Sequence, residues 1–197
     1  MRESYDRRAP EYDDWYLGRG LFTGRDRPGW NDEVDELAAA IAELPSGRTL
    51  DVACGTGFLT RHLRGDIVAL DQSARMLEEA ARVVPNATFI QGDALALPFP
   101  DRSFDRVFTG HFYGHLAEAE RSTFLAEVRR VAHELVVVDA SRVHSAVGEE
   151  MSQRVLEDGS RWQVYKRWFD GQGLADELGG GEVLFEGAWL VLVRASF

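Results

Sequence analysis

The chain has 197 residues, 45% hydrophobic and 28% charged, which allows a single globular domain with a full core. Its formal net charge of −11 repels phosphate backbones and its arginines are scattered, so a nucleic-acid partner is not expected. A lone cysteine, Cys54, excludes an internal disulfide. The first residues are charged, so no signal peptide is expected, and no apolar run is long enough to predict a membrane span. We therefore expect a cytoplasmic protein.

The predicted elements start with a helix and then alternate between strands and helices. In "NDEVDELAAAIAEL" apolar residues recur at helical spacing after Asn31, a candidate N-cap. The strand "RTLDVAC" follows, and residues 58–63 are expected to begin a helix. Further strands are predicted in "DIVALD", "ATFIQGDA", "SFDRVFTG" and "ELVVVDAS", and further helices in "QSARMLEEAARVVP" and "EAERSTFLAEVRRVA". This alternation predicts parallel strands joined by right-handed crossovers.

The C-terminal part departs from the alternation. We interpret "RWQVYKRWFDGQGLADELGGG" as a loop and a helix. The apolar segments "EVLFEG" and "AWLVLVRASF" are too close in sequence for a crossover connection, so they predict a hairpin. The last strand of the sheet should therefore be antiparallel.

A glycine-rich turn, "LDVACGTG", stands where the first strand ends. Gly55 and Gly57 would let a ligand approach the backbone, and the ligand could be a phosphate, a dinucleotide pyrophosphate or the methionine part of S-adenosylmethionine. Asp71 ends the next strand, where an acidic side chain can accept hydrogen bonds from ribose hydroxyls. A dinucleotide site requires a third glycine where Thr60 stands, and no Gly-Lys-Ser/Thr of a phosphate-binding loop occurs. A purely structural turn remains the other interpretation.

Four segments in order, "LDVACGTG", "VALDQSARML", "FIQGDALALPFPDRSFDRVF" and "FLAEVRRVAHELVVVD", resemble the class I S-adenosylmethionine-dependent methyltransferases. The nearest branch is the small-molecule group that includes the ubiquinone-biosynthesis type. The resemblance runs over about residues 5–140. It implies methyl transfer from S-adenosylmethionine to a small molecule, with S-adenosylhomocysteine as product, in a monomer or homodimer.

The resemblance also implies a set of cofactor-binding residues. Those at the methionine end are Asp51, Ala53, Gly55, Gly57, Thr109 and Gly110. Those at the adenosine end are Asp71, Gln72, Met76, Asp93 and Ala94. Ala53 departs from the pattern, because many members have glycine there. The tyrosines of "YDRRAPEYDDWY", Tyr5 and Tyr12, match a lid that closes over the cofactor.

Two histidines, His111 and His115, flank "FYG" directly after the fourth strand. Ligands of open α/β sheets bind at the carboxyl ends of the strands, so either histidine is a candidate general base. The alternative is that the two histidines only shape the pocket or hydrogen-bond the backbone. They also have the spacing of metal ligands on a helix, but Gly114 lies between them and no third ligand is evident. We therefore expect no metal.

The acceptor pocket has two candidate walls. One comprises Trp15, Tyr16, Arg19, Phe22 and Trp30, and the other comprises Trp162, Tyr165, Arg167 and Trp168. For the second wall, packing of a connecting helix is the alternative.

The sequence thus predicts one domain over residues 1–197, with an arm at 1–30, a cofactor-binding core at 31–141 and a substrate-side segment with a hairpin at 142–197. We expect a doubly wound, Rossmann-like α/β fold whose seven-stranded sheet is mostly parallel with an antiparallel last strand. An NAD(P)-dependent oxidoreductase and a non-catalytic S-adenosylmethionine-binding protein are the alternative functions.

Overall fold

Five consecutive parallel strands, which reach one edge, form most of the sheet in a computed structural model that describes residues 2–197. Met1, part of the expected arm at 1–30, lies outside the described residues. The parallel strands are β1 (Gly47–Val52), β2 (Gly65–Asp71), β3 (Thr88–Gln91), β4 (Arg106–Gly110) and β5 (Glu134–Ala140). They lie in the order β3-β2-β1-β4-β5, as crossover connections require.

The other edge of the sheet is a hairpin. After β5 the chain first forms β6 (Glu149–Val155) and β7 (Arg161–Arg167), which pair with each other outside the main sheet. It then forms β8 (Glu182–Glu186) and β9 (Leu190–Ser196), the hairpin at the edge of the main sheet. β9 runs antiparallel to both β5 and β8. The predicted seven-stranded, mostly parallel sheet with an antiparallel last strand is confirmed.

Helices cover both faces of this sheet. Two short helices, α1 (Arg2–Arg8) and α2 (Asp14–Leu17), lie in the arm, and the longer helices are α3 (Trp30–Ala42), α4 (Ala74–Val83) and α5 (Glu118–Val131), followed by α6 (Gly171–Glu177). One hydrophobic cluster contains Leu50 and Leu135, and a second contains Phe108 and Val136. Strands buried on both faces explain their uninterrupted apolar sequences. Within residues 2–197, no helix has the length and apolar character needed to cross a bilayer.

Two local expectations in the first half of the chain are wrong. Asn31 is not the N-cap of α3, because the helix starts at Trp30, two residues earlier than expected, and Gly29 occupies the cap with a left-handed φ of 74°. Residues 58–63 do not begin an α-helix and contain only a 3-10 turn at Thr60–His62. The segment 53–64 must both form the glycine turn and return to β2, which leaves room for one short turn.

The expected loop or connecting helix before α6 is also wrong. β6 and β7 form an antiparallel hairpin in which Ser152 faces Val164 across the strands. The missed signal is the dipeptide Asp158-Gly159, a strong hairpin signal in a sequence of alternating residues, and Gly159 has a left-handed φ of 80°. Residues of this hairpin line a cavity that is described below.

Glu33 ties α3 to the turn between β8 and β9. Its buried carboxylate accepts hydrogen bonds from the backbone N–H groups of Ala188, Trp189 and Leu190 at 2.9, 2.7 and 2.7 Å. Without the carboxylate these donors lose their partner, and an unpaired buried donor costs about 1–3 kcal/mol.

We therefore expect Glu33→Ala to lower the free energy of unfolding in urea by about 3 kcal/mol. Glu36→Ala, an exposed change on the same helix, is the control and should stay within about 0.5 kcal/mol of the unmodified protein. Equal effects of the two substitutions would show that the Glu33 hydrogen bonds contribute little.

Candidate active site

The candidate site lies at the carboxyl ends of β1 and β4, the neighbouring strands at which the order of the sheet reverses. Ligands of open α/β sheets bind in the crevice at this point. The Thr109 Oγ1 donates a hydrogen bond of 2.7 Å to the carbonyl of Val52 and holds the two strand ends together. A cavity of about 240 Å³ opens above them. The predicted site residues in its wall are Tyr5, Tyr12, Ala53, Gly55, Asp71, Gln72, Asp93, Ala94, Gly110, His111 and His115.

The glycine turn bends through three left-handed residues, Ala53, Gly55 and Gly57, with φ angles of 59°, 55° and 81°. A Cβ at Gly55 would lie 3.4 Å from the ring of Tyr12, so glycine lets the arm approach the turn closely. A Cβ at Gly57 would lie 3.3 Å from the Cα of Ala80 in α4. Gly57 therefore serves the packing of the turn against α4 and is not part of the cavity wall.

Asp71 connects the end of β2 to the glycine turn. Its buried carboxylate accepts hydrogen bonds from the N–H of Gly55 at 3.0 Å and of Ser73 at 2.8 Å. Burial raises the pKa of Asp71 above its usual value, and the backbone hydrogen bonds oppose that rise. Each carboxylate oxygen keeps a further acceptor site, which leaves Asp71 able to bind two hydroxyl groups.

Asp51 supplies an unpaired oxygen close to the same cavity. Thr60 Oγ1 donates to its Oδ2 at 2.6 Å, but its Oδ1 is buried without a hydrogen-bond partner among the described residues. Burial raises the pKa of Asp51 to about 7. Asp51 borders a small second cavity, of about 20 Å³, that also touches Tyr12 and Gly110. A buried unpaired carboxylate oxygen costs free energy, so this position fits a ligand cation such as an ammonium group.

Two other predicted residues lie behind the cavity wall. The Met76 side chain is fully buried in the packing of α4, and Thr109 is fully buried with its hydroxyl bonded to β1. Other wall residues carried no signal in the sequence, because only the fold brings them to the cavity. They are Leu70, Gly92, Leu95, Phe112, Leu116 and Glu120.

The N-terminal arm covers the cavity and packs on the glycine turn. The ring of Tyr16 stacks on Phe58 with centroids 3.9 Å apart, and Thr56 Oγ1 donates a hydrogen bond to Asp13. Ser73 Oγ, at the start of α4, donates to Asp6 at 2.5 Å. These contacts close the arm over the residues that the sequence associates with a cofactor.

The two histidines are partly buried, and their low pKa values keep them neutral. His111 has a left-handed φ of 54°, and its Nε2 has no hydrogen-bond partner among the described residues. His115 donates through Nδ1 to the carbonyl of Tyr165 at 2.6 Å, which leaves its Nε2 unprotonated. Burial lowers the pKa of His111 well below its usual value and that of His115 to about 3.

A larger cavity of about 460 Å³ adjoins the first and shares Tyr12, His111 and His115 with it. Of the candidate acceptor walls, Trp15 and Phe22 in the arm and Trp168 after β7 line this cavity. The remaining candidates, which have other surroundings, are Tyr16, Arg19, Trp30, Trp162, Tyr165 and Arg167. For instance, Arg167 pairs with Glu177 at 2.7 Å, and Tyr165 donates to Glu149 at 2.5 Å.

The basic residues in the wall of this larger cavity contradict the expectation that the basic residues are merely scattered. Arg8, Arg25, Arg154 and Lys166 come from both ends of the chain and meet in its wall. No spacing in the sequence reveals this cluster, because the arm and the hairpin of β6 and β7 are far apart along the chain.

The fold and the site together give two adjoining cavities, with Tyr12, His111 and His115 in their common wall. The family described as "Methyltransferase domain" matches residues 49–135. A demethylmenaquinone methyltransferase of Thermotoga maritima is 39% identical over 132 residues, covering 64% of this chain and 54% of that protein. A 2-phytyl-1,4-naphtoquinone methyltransferase of Synechococcus elongatus is 32% identical over 175 residues, covering 81% and 70%.

Among solved structures, the complex titled "DhpI-SAH complex structure" is similar, with 26% identity and a TM-score of 0.71 over 98% of this chain and 94% of that one. This protein belongs to the class I S-adenosylmethionine-dependent methyltransferases. The chain spans about half the length of the first curated relatives that it matches.

Ala53 provides a test of the strain in the glycine turn. An alanine with φ near 59° is disfavoured relative to glycine, because its Cβ approaches the following carbonyl oxygen. We expect Ala53→Gly to raise the free energy of unfolding by about 0.5–1 kcal/mol. Ala39→Gly, in the middle of α3, should instead lower it by about 1 kcal/mol. A loss of stability in Ala53→Gly similar to that in Ala39→Gly would contradict a strained turn.

Asp51 provides a test with pH. Its pKa is near 7 in the folded protein and near 4 when unfolded, so unfolding releases a proton and ionisation of Asp51 reduces stability as pH rises from 4 to 7. We expect Asp51→Asn to be more stable than the unmodified protein at pH 8 by about 1–3 kcal/mol, and nearly equal at pH 4. Urea unfolding at both pH values measures this difference, and Asp66→Asn at the exposed start of β2 should show no such trend.

Proposed function

We propose that this protein transfers the methyl group of S-adenosylmethionine to a small-molecule acceptor by in-line displacement. The observation that carries the proposal is the pair of adjoining cavities with Tyr12, His111 and His115 in their common wall. One cavity would hold the cofactor and the other the acceptor, on opposite sides of the reacting methyl group. The two relatives reported above are named as quinone methyltransferases, which also supports a small-molecule acceptor.

The residues at the first cavity fit this cofactor. Asp71 would accept hydrogen bonds from the ribose hydroxyls, and the unpaired Oδ1 of Asp51 would meet the methionine ammonium. Asp93 and Ala94, after β3, would face the adenine with Gln72 beside it. When bound, S-adenosylmethionine supplies an electrophilic methyl group on a sulfonium.

The chain's own part in the reaction is orientation and exclusion of water. Holding a nucleophile in line with a reacting carbon supplies a large share of the rate enhancement. The free Nε2 of His111 is available to hydrogen-bond the nucleophilic group of the acceptor. Its low pKa makes it a positioning group more than a strong base, since the imidazole binds protons weakly.

The arm would act as the lid of the site. Tyr5 and Tyr12 line the first cavity, and Asp6 and Asp13 anchor the arm to the start of α4 and to the glycine turn. We further propose that residues 1–197 act as one domain in the cytoplasm, as a monomer or homodimer. The net charge of −11 argues against a nucleic-acid acceptor.

The first experiment is a calorimetric titration with S-adenosylhomocysteine, with NAD as the parallel ligand. We expect micromolar binding of S-adenosylhomocysteine only. Asp71→Ala should weaken it by about 1–3 kcal/mol, for lost hydrogen bonds to a charged group. Asp66→Ala, at the other end of the same strand, should bind normally. Binding of NAD alone would overturn the proposal, and binding without methyl transfer to any acceptor would indicate a non-catalytic protein.

His111→Asn tests the proposed positioning role. Asparagine tolerates the left-handed backbone, so the substitution removes the imidazole without adding strain. We expect kcat to fall about tenfold or more while the affinity for S-adenosylhomocysteine stays unchanged. His133→Asn, an exposed substitution before β5, is the control. An unchanged kcat would assign His111 to the packing of the cavity wall alone.

A further inference from the structure

The larger cavity concentrates positive charge in a strongly acidic protein. Arg8, Arg25, Arg154 and Lys166 face it, against one carboxylate, Asp139. The whole chain has 33 acidic and 22 basic side chains, so such a cluster runs against the overall charge.

The side chains of these four cations have no hydrogen bond or ion pair among residues 2–197, although three of them lie over aromatic rings. Arg8 is only 9% exposed, yet among residues 2–197 it has neither a hydrogen bond nor an ion pair, and it lies over the Tyr12 ring at 4.4 Å. Neither Arg154 nor Lys166 has an ion pair within the same residues. Lys166 lies over the ring of Trp168 at 5.2 Å. Burial lowers the pKa of both Arg8 and Lys166, and the charge of Arg154 lowers both further.

The opposite face of the same hairpin shows a different arrangement. There Arg167 pairs with Glu177, and the same carboxylate also binds Arg121 at 3.0 Å. Arg154 and Lys166 lie on the cavity face, because they alternate with these residues along β6 and β7. Arg167, which faces away from the cavity, is therefore paired, whereas the cavity-facing Arg154 and Lys166 have no ion pair among residues 2–197.

Asp139 does not neutralise the cluster. Its buried carboxylate already accepts hydrogen bonds from the N–H of Gly114 at 2.7 Å and of Ala140 at 2.8 Å. One carboxylate facing four cations leaves the cavity positive. Arg8 is the buried member of this cluster, and a buried charge without a partner costs several kcal/mol, so an anion that enters the cavity would relieve that cost.

We propose that the methyl acceptor carries an anionic group, a carboxylate or a phosphate, which Arg154 and Lys166 of the hairpin bind together with Arg8 of the arm. The inference rests on the proposed function and specifies its substrate class. The aromatic side chains of Trp15, Phe22 and Trp168 would pack against the apolar part of the acceptor. The nucleophile would then point towards the wall shared with the cofactor cavity.

The test titrates the protein, saturated with S-adenosylhomocysteine, with benzoate, phenyl phosphate and benzyl alcohol. The three probes share a ring and differ in charge, and the first two distinguish a carboxylate from a phosphate. We expect at least one anion to bind at least tenfold more tightly than benzyl alcohol. The double variant Arg154→Gln with Lys166→Gln should lose that preference, and Arg161→Gln, an exposed change on the same hairpin, should keep it.

The affinity for S-adenosylhomocysteine is measured in every variant, and the urea unfolding transition of each one reports whether it folds. Equal binding of the neutral probe and both anions would overturn the inference. Weaker binding of S-adenosylhomocysteine in the double variant would also overturn it, because the cations would then hold the cofactor carboxylate. The charge-conserving variant Arg154→Lys with Lys166→Arg should retain the preference for anions.

Failure of the unmodified protein to bind S-adenosylhomocysteine would overturn the proposed function by itself. The anion titration is then repeated without that ligand. Binding of an anion that the double variant loses would still support an anion site between the arm and the hairpin, and no binding would overturn it as well.

Discussion

The site depends on one constraint, the reversal of strand order between β1 and β4. Because the chain leaves these neighbouring strands towards opposite sides of the sheet, their carboxyl ends stay uncovered by crossover connections. The Thr109–Val52 hydrogen bond holds the strand ends together. The glycine turn then forms one wall of the resulting crevice, and the segment from Gly110 to His115 forms the other.

Features that cost free energy collect in this crevice. Ala53 and His111 have left-handed backbones, and Asp51 Oδ1 and His111 Nε2 are buried without partners among the described residues. Outside the crevice, Thr49 Oγ1 is also buried without a partner among the described residues and Arg102 also has a left-handed backbone, whereas the buried carboxylate of Glu33 is satisfied by three hydrogen bonds. Strain and unpaired polar atoms persist only where the surrounding structure holds them, and they cluster at functional sites.

Charged side chains are also arranged differently in the larger cavity and on the rest of the protein surface. Carboxylates outnumber basic groups across the chain, and many arginines on its surface form ion pairs. The cavity between the arm and the hairpin reverses this balance. An acidic surface repels anions at long range, so an anionic ligand would depend on close contacts with the cavity cations, which salt screens less than exposed charges.

The sequence by itself determined the alternating parallel sheet, the antiparallel last strand and the family, because apolar periodicity and the glycine turn are local patterns. It also indicated that Asp71 and Gly55 lie at the cavity, because the ends of the strands near them can be predicted from the sequence. Only the tertiary structure brought Arg8 to Arg154 and Lys166, left Asp51 Oδ1 unpaired, and turned Gly57 towards α4. These features depend on contacts between segments far apart in sequence, so no local pattern encodes them. The hairpin of β6 and β7 could have been predicted, since Asp158-Gly159 is a local turn signal. It was missed because the segment that follows was interpreted as a loop and a helix.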